Sequence, residues 1–306
     1  MKKLFLTFLL VCVAAGNAPT VGAQQPVTAE RIGNHIDVLV ANKLFTSYRF
    51  LDDEKYPFFF PVNGPLSGAS VTGMRNALYP HQASLFIACD RLNGANYWQE
   101  GLVRGRIVSL EPRILCAEGQ QVVIEDECVW KRPGAEASVR DKRLFTISSP
   151  NENTYQIDLD LQLEMLCDVT IEKTIHSLVC ARMAEDLSVR QGGVVGNSAG
   201  KSGVEECFGE KADWVDYYGI RRTGAEGIAI MQHPASDWYP APWFIRDYGL
   251  FSPSIINWPA DGKATCYSKG TTLHFCYRIL VHGGTTSEAG INEAYKQFMS
   301  QTTFGK

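Results

Sequence analysis

Between positions 155 and 165 the chain alternates without a break. Tyr155, Ile157, Leu159, Leu161, Leu163 and Met165 are apolar, while Gln156, Asp158, Asp160, Gln162 and Glu164 between them are polar or acidic. Successive side chains of an extended strand point to opposite faces, so this period of two dictates a long strand with one dry face and one acidic, solvated face. Leu273, Phe275, Tyr277, Ile279 and Val281 repeat the pattern, with His274 and Arg278 on the other side. Ile36, Val38 and Val40 alternate too, and Ala41-Asn42-Lys43 offers a turn into an extended run over 44–50, the signature of a hairpin. Further short strands are expected over 105–110, 121–130, 143–148 and 227–232. Helical signal is confined to the C-terminus, where Thr285 and Glu288 fit a capping box ahead of Ile291, Ala294, Tyr295 and Phe298.

Many strands punctuated by Gly, Pro and Asn, with no helices alternating between them, point to an all-β fold. The expectation is a large antiparallel β-sandwich with a short C-terminal helix. No Ser/Pro-rich linker, fixed-period repeat or shift in composition divides the chain, so residues 24–306 are read as a single domain. Residues 1–23 read as an export signal. Lys2 and Lys3 form its basic start, Leu4 to Ala15 its apolar stretch, and Val21-Gly22-Ala23 a small-residue cleavage site before Gln24. The protein is therefore expected in the periplasm or outside the cell.

The formal charge is −4, from 29 basic and 33 acidic residues, and loss of Lys2 and Lys3 with the signal makes it more negative. That balance argues against nucleic acid or an anionic membrane surface as partner. No apolar run outside the signal approaches the roughly 18–20 residues needed to span a bilayer, so no membrane span is expected. Cys12 lies in the signal, after a Val11 too bulky for a lipoprotein box. Cys89, Cys116, Cys128, Cys167, Cys180, Cys207, Cys266 and Cys276 remain. Their even number permits disulfides in an oxidising compartment. Buried thiols and bridges both stay open, and the absence of a CxxC pair disfavours a structural zinc site of that spacing.

Two motif matches fail on context. Gly196-Asn197-Ser198-Ala199-Gly200 fits G-x-S-x-G, but a nucleophile elbow needs a helix after the serine, and Lys201-Ser202-Gly203 opens a helix poorly. Gly200-Lys201-Ser202 imitates a phosphate loop, yet the leading Gly196 stands one residue too close. Both reduce to a Gly/Ser loop. His35, His81, His176, His233, His274 and His282 show no HxH, HxxxH or HExxH spacing. No metal ligand set is assigned and no cofactor is identified; a metal ion is not favoured.

Polar residues that packing does not demand gather in two stretches. One runs from Tyr79-Pro80-His81-Gln82 to Asp90-Arg91-Leu92-Asn93 and Tyr97-Trp98. The other runs from Asn197 through Glu205, Glu206, Lys211, Asp213, Trp214, Asp216 and Tyr217 to His233, Trp243, Arg246, Asp247 and Tyr248. Four of the six tryptophans, Trp214, Trp238, Trp243 and Trp258, lie within 214–258. Aromatic faces interleaved with Asn, Asp, Arg and His suit a sugar site, because pyranose C–H faces stack on rings while hydroxyls need directional partners. The competing reading is that these rings fill one end of the core.

The ordered set resembles a known family. Its parts are Tyr56-Pro57-Phe58 and Gly64-Pro65; Pro80-His81-Gln82, Asn93-Gly94 and Tyr97-Trp98; Asn197-Ser198; Trp214-Val215-Asp216-Tyr217; His233-Pro234, Trp243 and Arg246-Asp247-Tyr248-Gly249-Leu250-Phe251. Over about residues 34–282 these are similar to the PmoA-like family of exported bacterial proteins, a family of unknown function sometimes labelled "methane oxygenase". The label does not transfer, since a membrane methane monooxygenase needs spans that this sequence lacks. The resemblance implies a β-sandwich related to the galactose-mutarotase type and a setting beside polysaccharide breakdown. The family's His-rich run, of the form HPHHRG, stands here as Tyr79-Pro80-His81-Gln82-Ala83-Ser84, which argues against a metal at that run.

The expected function is an exported carbohydrate-active enzyme that cleaves a glycosidic bond of an oligosaccharide by hydrolysis or elimination. Such chemistry needs a proton donor for the leaving oxygen and a base. His81, Glu205 and Asp247 form the expected titratable set, with His233 as an alternate; Glu205 and Glu206 are interchangeable at this level. Arg246 would bind a carboxylate or orient Asp247. Asn93, Asn197, Lys211 and Tyr248 would read hydroxyls, and Trp98, Trp214 and Trp243 would stack on sugar faces. The alternatives are a mutarotase- or epimerase-like enzyme and a non-catalytic oligosaccharide-binding protein. Expressed in a bacterium with its own export machinery, the chain is expected to yield a mature protein beginning at Gln24, as read by intact-mass spectrometry. A product retaining Met1 would overturn the signal.

Overall fold

The computed structural model describes residues 23–99, 101–254 and 263–301; the expected export signal, apart from Ala23, and Trp258 lie outside the described residues. Two nine-stranded antiparallel sheets face one another. The first runs from edge to edge as Trp243–Ile245, Leu250–Pro253, Ser177–Arg182, Leu85–Cys89, Phe58–Val62, Lys43–Arg49, His35–Val40, Val27–Ile32 and Glu118–Gly119. The second runs Val194–Asn197, Trp214–Arg221, Gly224–Gln232, Thr272–Gly283, Thr154–Met165, Val139–Asn151, Gln121–Lys131 and Arg106–Ser109, with Arg113–Cys116 also pairing on Gln121–Lys131. Aromatic rings close the space between the sheets, with Phe45 against Tyr155 at 4.8 Å, Phe59 against Phe145 at 4.9 Å and Tyr217 against Phe251 at 5.6 Å. No helix among the described residues is long and apolar enough to cross a membrane.

The expected hairpin forms: His35–Val40 pairs with Lys43–Arg49, and Ala41 and Asn42 both take positive φ, 47° and 64°. Such turns match the right-handed twist of the flanking strands. The other alternating runs all become strands, several of them longer than the pattern marks. Missing from the sequence expectation are Phe58–Val62, Leu85–Cys89 and Ser177–Arg182, central strands of the first sheet. Every residue of Leu85–Cys89 and Ser177–Arg182 is buried. A strand dry on both faces carries no alternation, and its period cannot be read.

The acidic face of Thr154–Met165 departs from expectation, because Asp158 and Asp160 are buried rather than solvated. Arg278, directly opposite Asp158 in the register, makes a two-pronged contact of 2.7 and 2.8 Å with it. The C-terminal helix Ile291–Met299 then covers this face of the second sheet. Ile291, Tyr295 and Phe298 form a small second core with Trp214, Ala229, Met231, Cys276 and Leu280, and the Arg278 guanidinium sits 4.8 Å from the Phe298 ring centre. The capping-box pair exists, with the Thr285 amide donating to Glu288 at 2.9 Å, but it closes a turn ahead of the helix, whose N-cap is Gly290 at φ 62°. That turn is pinned to the sheet by Asp216, which accepts from Thr286 at 2.6 Å and pairs with buried His282 at 2.9 Å. All eight cysteines outside the signal are free, and five of them are buried.

Removing the cation of a buried pair strands its carboxylate, so Arg278→Met is expected to cost about 3–5 kcal/mol in urea unfolding. Arg140, half exposed between Glu127 and Glu164, is the control. Arg140→Met should cost no more than about 1 kcal/mol.

Candidate functional site

Register fixes what the outer face of the first sheet carries. Phe58 opposes Phe86, Phe86 opposes Cys180, and Arg182 and Phe244 follow in the same phase through Leu250 and Ser252. This face is roofed by loops. Tyr56 stacks flat on Phe86 at 4.6 Å, its hydroxyl donates to the His81 carbonyl, and Trp98 meets Phe86 edge-on at 5.2 Å. Trp98 in turn stacks on His176 at 5.0 Å, and Phe244 meets His176 edge-on at 5.1 Å.

His176 is held as a dyad. Its Nδ1 lies 2.9 Å from Asp90 Oδ2, while the Thr174 hydroxyl donates to Asp90 Oδ1. Asp90 is 4% exposed and its amide bonds the His176 carbonyl, so carboxylate and ring are fixed together where the two strands begin to separate. A carboxylate on one ring nitrogen sets the tautomer and leaves the other nitrogen for proton transfer.

Beyond the dyad stands a group of guanidinium and aromatic side chains. Arg246 lies over Phe244 at 4.6 Å and over Phe208 at 5.2 Å. Tyr79 stacks on Tyr248 at 4.1 Å, and Arg182 covers both rings, at 5.2 and 4.8 Å. Arg182 is 7% exposed and donates to Gln82 Oε1 at 2.6 Å. Burial pulls its pKa below the ordinary guanidinium value and pushes the Tyr248 phenol up, so that Tyr248 stays protonated. Among the described residues, no carboxylate lies within ion-pair distance of Arg182 or Arg246. A sheltered cation on aromatic faces without an acid beside it is a site for an anion.

The turn carrying Arg246, Asp247 and Tyr248 is placed from beneath. Tyr217 reaches out of the second sheet and directs its hydroxyl at the carbonyls of Arg246 and Asp247, while the Val189 amide donates to Tyr217 Oη at 2.8 Å. Arg190 is thereby set beside Asp247, Nε to Oδ2 at 2.9 Å, and over Tyr248 at 5.4 Å. The expected orientation of Asp247 by Arg246 is therefore replaced. Arg190 holds the carboxylate, and Arg246 turns to the aromatic side.

Of the residues singled out from sequence, His81, Trp98, Arg246, Asp247 and Tyr248 meet on this face. His81 lines a hollow of about 270 Å³ with Glu54, Lys55 and Arg75. Glu205 is exposed on the short helix Val204–Cys207, which leads directly into Phe208. The others serve elsewhere. His233 and Trp214 lie across the molecule under the C-terminal helix, with His233 edge-on to Phe298 at 5.1 Å and its pKa lowered by burial. Trp243 is wholly buried and donates to the Ala212 carbonyl at 2.9 Å, so its ring is core rather than a sugar platform. Trp98, at 1% exposure, supports His176 rather than presenting a face. Asn93 braces the Val169–Ile171 strand by accepting from the Thr170 amide at 2.7 Å. Asn197 folds its own Gly/Ser loop by accepting from the amides of Ala199 and Lys201. In that loop Ser198 Oγ accepts the Asp213 amide at 2.8 Å. Lys211 is exposed, and its backbone bridges to Pro242.

Sequence reasoning missed Asp90 and His176 as a pair, and Arg182, Arg190 and Phe244. Asp90 stood in a polar stretch already marked, but the dyad joins residues 86 positions apart. Only a strand pairing that alternation could not reveal brings them together.

The chain belongs to DUF6807, a family of unknown function, whose pattern matches residues 35–296. No curated protein matches it in sequence. Among solved structures it is similar to the galactosidase domain of an alpha-galactosidase–sucrose kinase, at 10% identity and a TM-score of 0.38, covering 83% of this chain and 40% of that one. It is also similar to a polysaccharide lyase, at 10% identity and a TM-score of 0.35, covering 90% of this chain and 34% of that one. The chain thus spans well under half the length of either.

Hydrogen bonding to Arg190 is the main cause that holds the Asp247 carboxyl below its ordinary pKa. The contribution of this pair is present above the ordinary value, about 3.9, and is lost as pH falls through the lowered one. Carboxyl ¹³C titration by NMR should show Asp247 titrating low in the native protein and returning to the ordinary range in Arg190→Ala.

Proposed function

For this member of DUF6807 we propose an enzyme that acts on an anionic, carboxylate-bearing oligosaccharide by proton transfer at a sugar carbon, with elimination of the glycosidic oxygen. The observation that carries the reading is the Asp90–His176 dyad on the same sheet face as two guanidinium groups that, among the described residues, have no carboxylate within ion-pair distance. A sugar carboxylate seated on Arg182 or Arg246 has its charge neutralised. That acidifies the carbon-bound hydrogen beside it. His176, oriented by Asp90, takes this proton; the electron pair forms a C=C bond and expels the oxygen at the neighbouring carbon. The leaving oxygen takes a proton from solvent or from a phenol that burial keeps protonated, as in Tyr248. Tyr79 and Tyr248 supply the rings against which a pyranose stacks. His81, Asp247 and Glu205 belong at the rim, where they would meet hydroxyls of flanking sugars. Hydrolysis fits less well, since it requires two carboxyl groups flanking the bond. Here Asp90 is engaged by His176 and Asp247 by Arg190. The export signal expected from the sequence at residues 1–23 supports a reaction outside the cytoplasm.

A second reading keeps the ligand and drops the chemistry. The stacked Tyr79–Tyr248 pair between Arg182 and Arg190 is by itself a complete platform for binding an acidic sugar.

Incubation with a panel of uronic-acid oligosaccharides, read by ultraviolet absorbance and mass spectrometry, tests both. Elimination gives unsaturated fragments without gain of water, and His176→Ala is expected to lower turnover by about 10²–10⁴-fold. Arg246→Ala should lower kcat as well as raise KM, because the neutralised carboxylate is what acidifies the carbon-bound hydrogen. Full turnover in His176→Ala would sink the assignment, and saturable binding with unchanged ligand would establish the second reading.

A further inference from the structure

The opposite side of the molecule carries a group of side chains that the proposed reaction does not use. On the outer face of the second sheet, Asp160 and Cys276 are direct register partners, and His274 stands two residues from Cys276 in the same phase. His274 Nε2 lies 2.7 Å from Asp160 Oδ1 and 3.5 Å from Cys276 Sγ. A carboxylate oxygen, an imidazole nitrogen and the sulfur fall within 4.8 Å of one another. We propose that Asp160, His274 and Cys276 form a binding site for a zinc-like divalent transition metal ion.

Four features support the assignment. Oxygen, nitrogen and sulfur together are the donor set of borderline-soft metals such as zinc, and calcium or magnesium would not select it. Bond lengths of about 2.0–2.3 Å to a tetrahedral ion place its ligand atoms roughly 3.3–3.7 Å apart. The nitrogen–sulfur pair, at 3.5 Å, already meets that spacing, and the nitrogen–oxygen pair, at 2.7 Å, reaches it by opening about 0.6 Å. Asp160 is 8% exposed, and its Oδ2 is buried with no hydrogen-bond partner. A buried carboxylate oxygen left unsatisfied costs stability unless something binds it. All three ligands also rise from adjacent strands of a rigid sheet, so little ordering is needed.

Charge closes the argument. Nearby Asp158 and Arg278 neutralise each other. A carboxylate, a thiolate, a neutral imidazole and a dication together make a site of zero net charge. Three protein ligands leave the fourth tetrahedral position for water.

The test uses the full mature chain, stripped with a chelator and titrated with Zn²⁺ by calorimetry and with Co²⁺ by absorption. One equivalent is expected to bind. Cobalt should give a thiolate-to-metal charge-transfer band that disappears in Cys276→Ser, and His274→Gln should weaken zinc by at least 10-fold. Circular dichroism of each variant shows whether it is folded, and His274, being partly exposed, is the substitution the sheet tolerates best. Absence of stoichiometric binding, or a cobalt band that survives in folded Cys276→Ser, would overturn the site and leave His274–Asp160 as an ordinary ion pair. Neither result depends on whether the opposite face turns over a sugar.

Discussion

Two central strands of the first sheet must be dry on both sides, and the site follows from that requirement. Leu85–Cys89 and Ser177–Arg182 are buried along their whole length, one side against the second sheet and the other beneath loops. An apolar outer face left open would expose a contiguous patch of the kind that drives association. The roof therefore has to exist, and the loops that form it bring Tyr56, Tyr79, Gln82 and Trp98 over the strands. Beneath this cover lie the buried Arg182 and the partly exposed His176. Each is satisfied by specific partners, Gln82 and two tyrosine rings in one case and Asp90 in the other. Buried polar groups cost free energy unless paired, so their presence beneath a roof is better explained by chemistry than by packing.

The two outer faces solve the same problem in different ways. On the second sheet a single amphipathic helix covers a mixed surface, and Arg278 carries both the charge balance of Asp158 and a contact to Phe298. On the first sheet several loops share the task, and the turn at 246–248 is held by one hydroxyl from the opposite sheet, Tyr217. A helix gives a fixed lid over a fixed set of residues. Loops allow side chains from distant parts of the chain to converge, as functional sites on rigid scaffolds require.

How much of this could be read from the sequence follows from the same contrast. Strands with one polar face announced themselves, and the sandwich, the hairpin at Ala41-Asn42 and the C-terminal helix were all legible. The doubly buried strands were silent, because periodicity needs a wet side. For the site, local clustering found Tyr79 to Trp98 and Arg246 to Tyr248, which do share a face. It failed for His233, Trp214 and Trp243, where aromatic density reflected the second core and the sheet interior rather than a ligand. His176 carried no local signal, since its partner Asp90 is adjacent only through strand pairing. Asp158 and Asp160 misled in the opposite sense, since acidity alone cannot tell a solvated edge from a carboxylate waiting for an arginine.

Strand order has a consequence for how the chain comes to be folded. Thr272–Gly283 lies between Gly224–Gln232 and Thr154–Met165, so the two halves of the second sheet meet only through a strand that follows all of their own in sequence. Until that strand arrives, each half ends in an open hydrogen-bonding edge, and the helix that shields the back face has not yet been made. Closure waits on contacts between residues more than a hundred positions apart, which are slow to find.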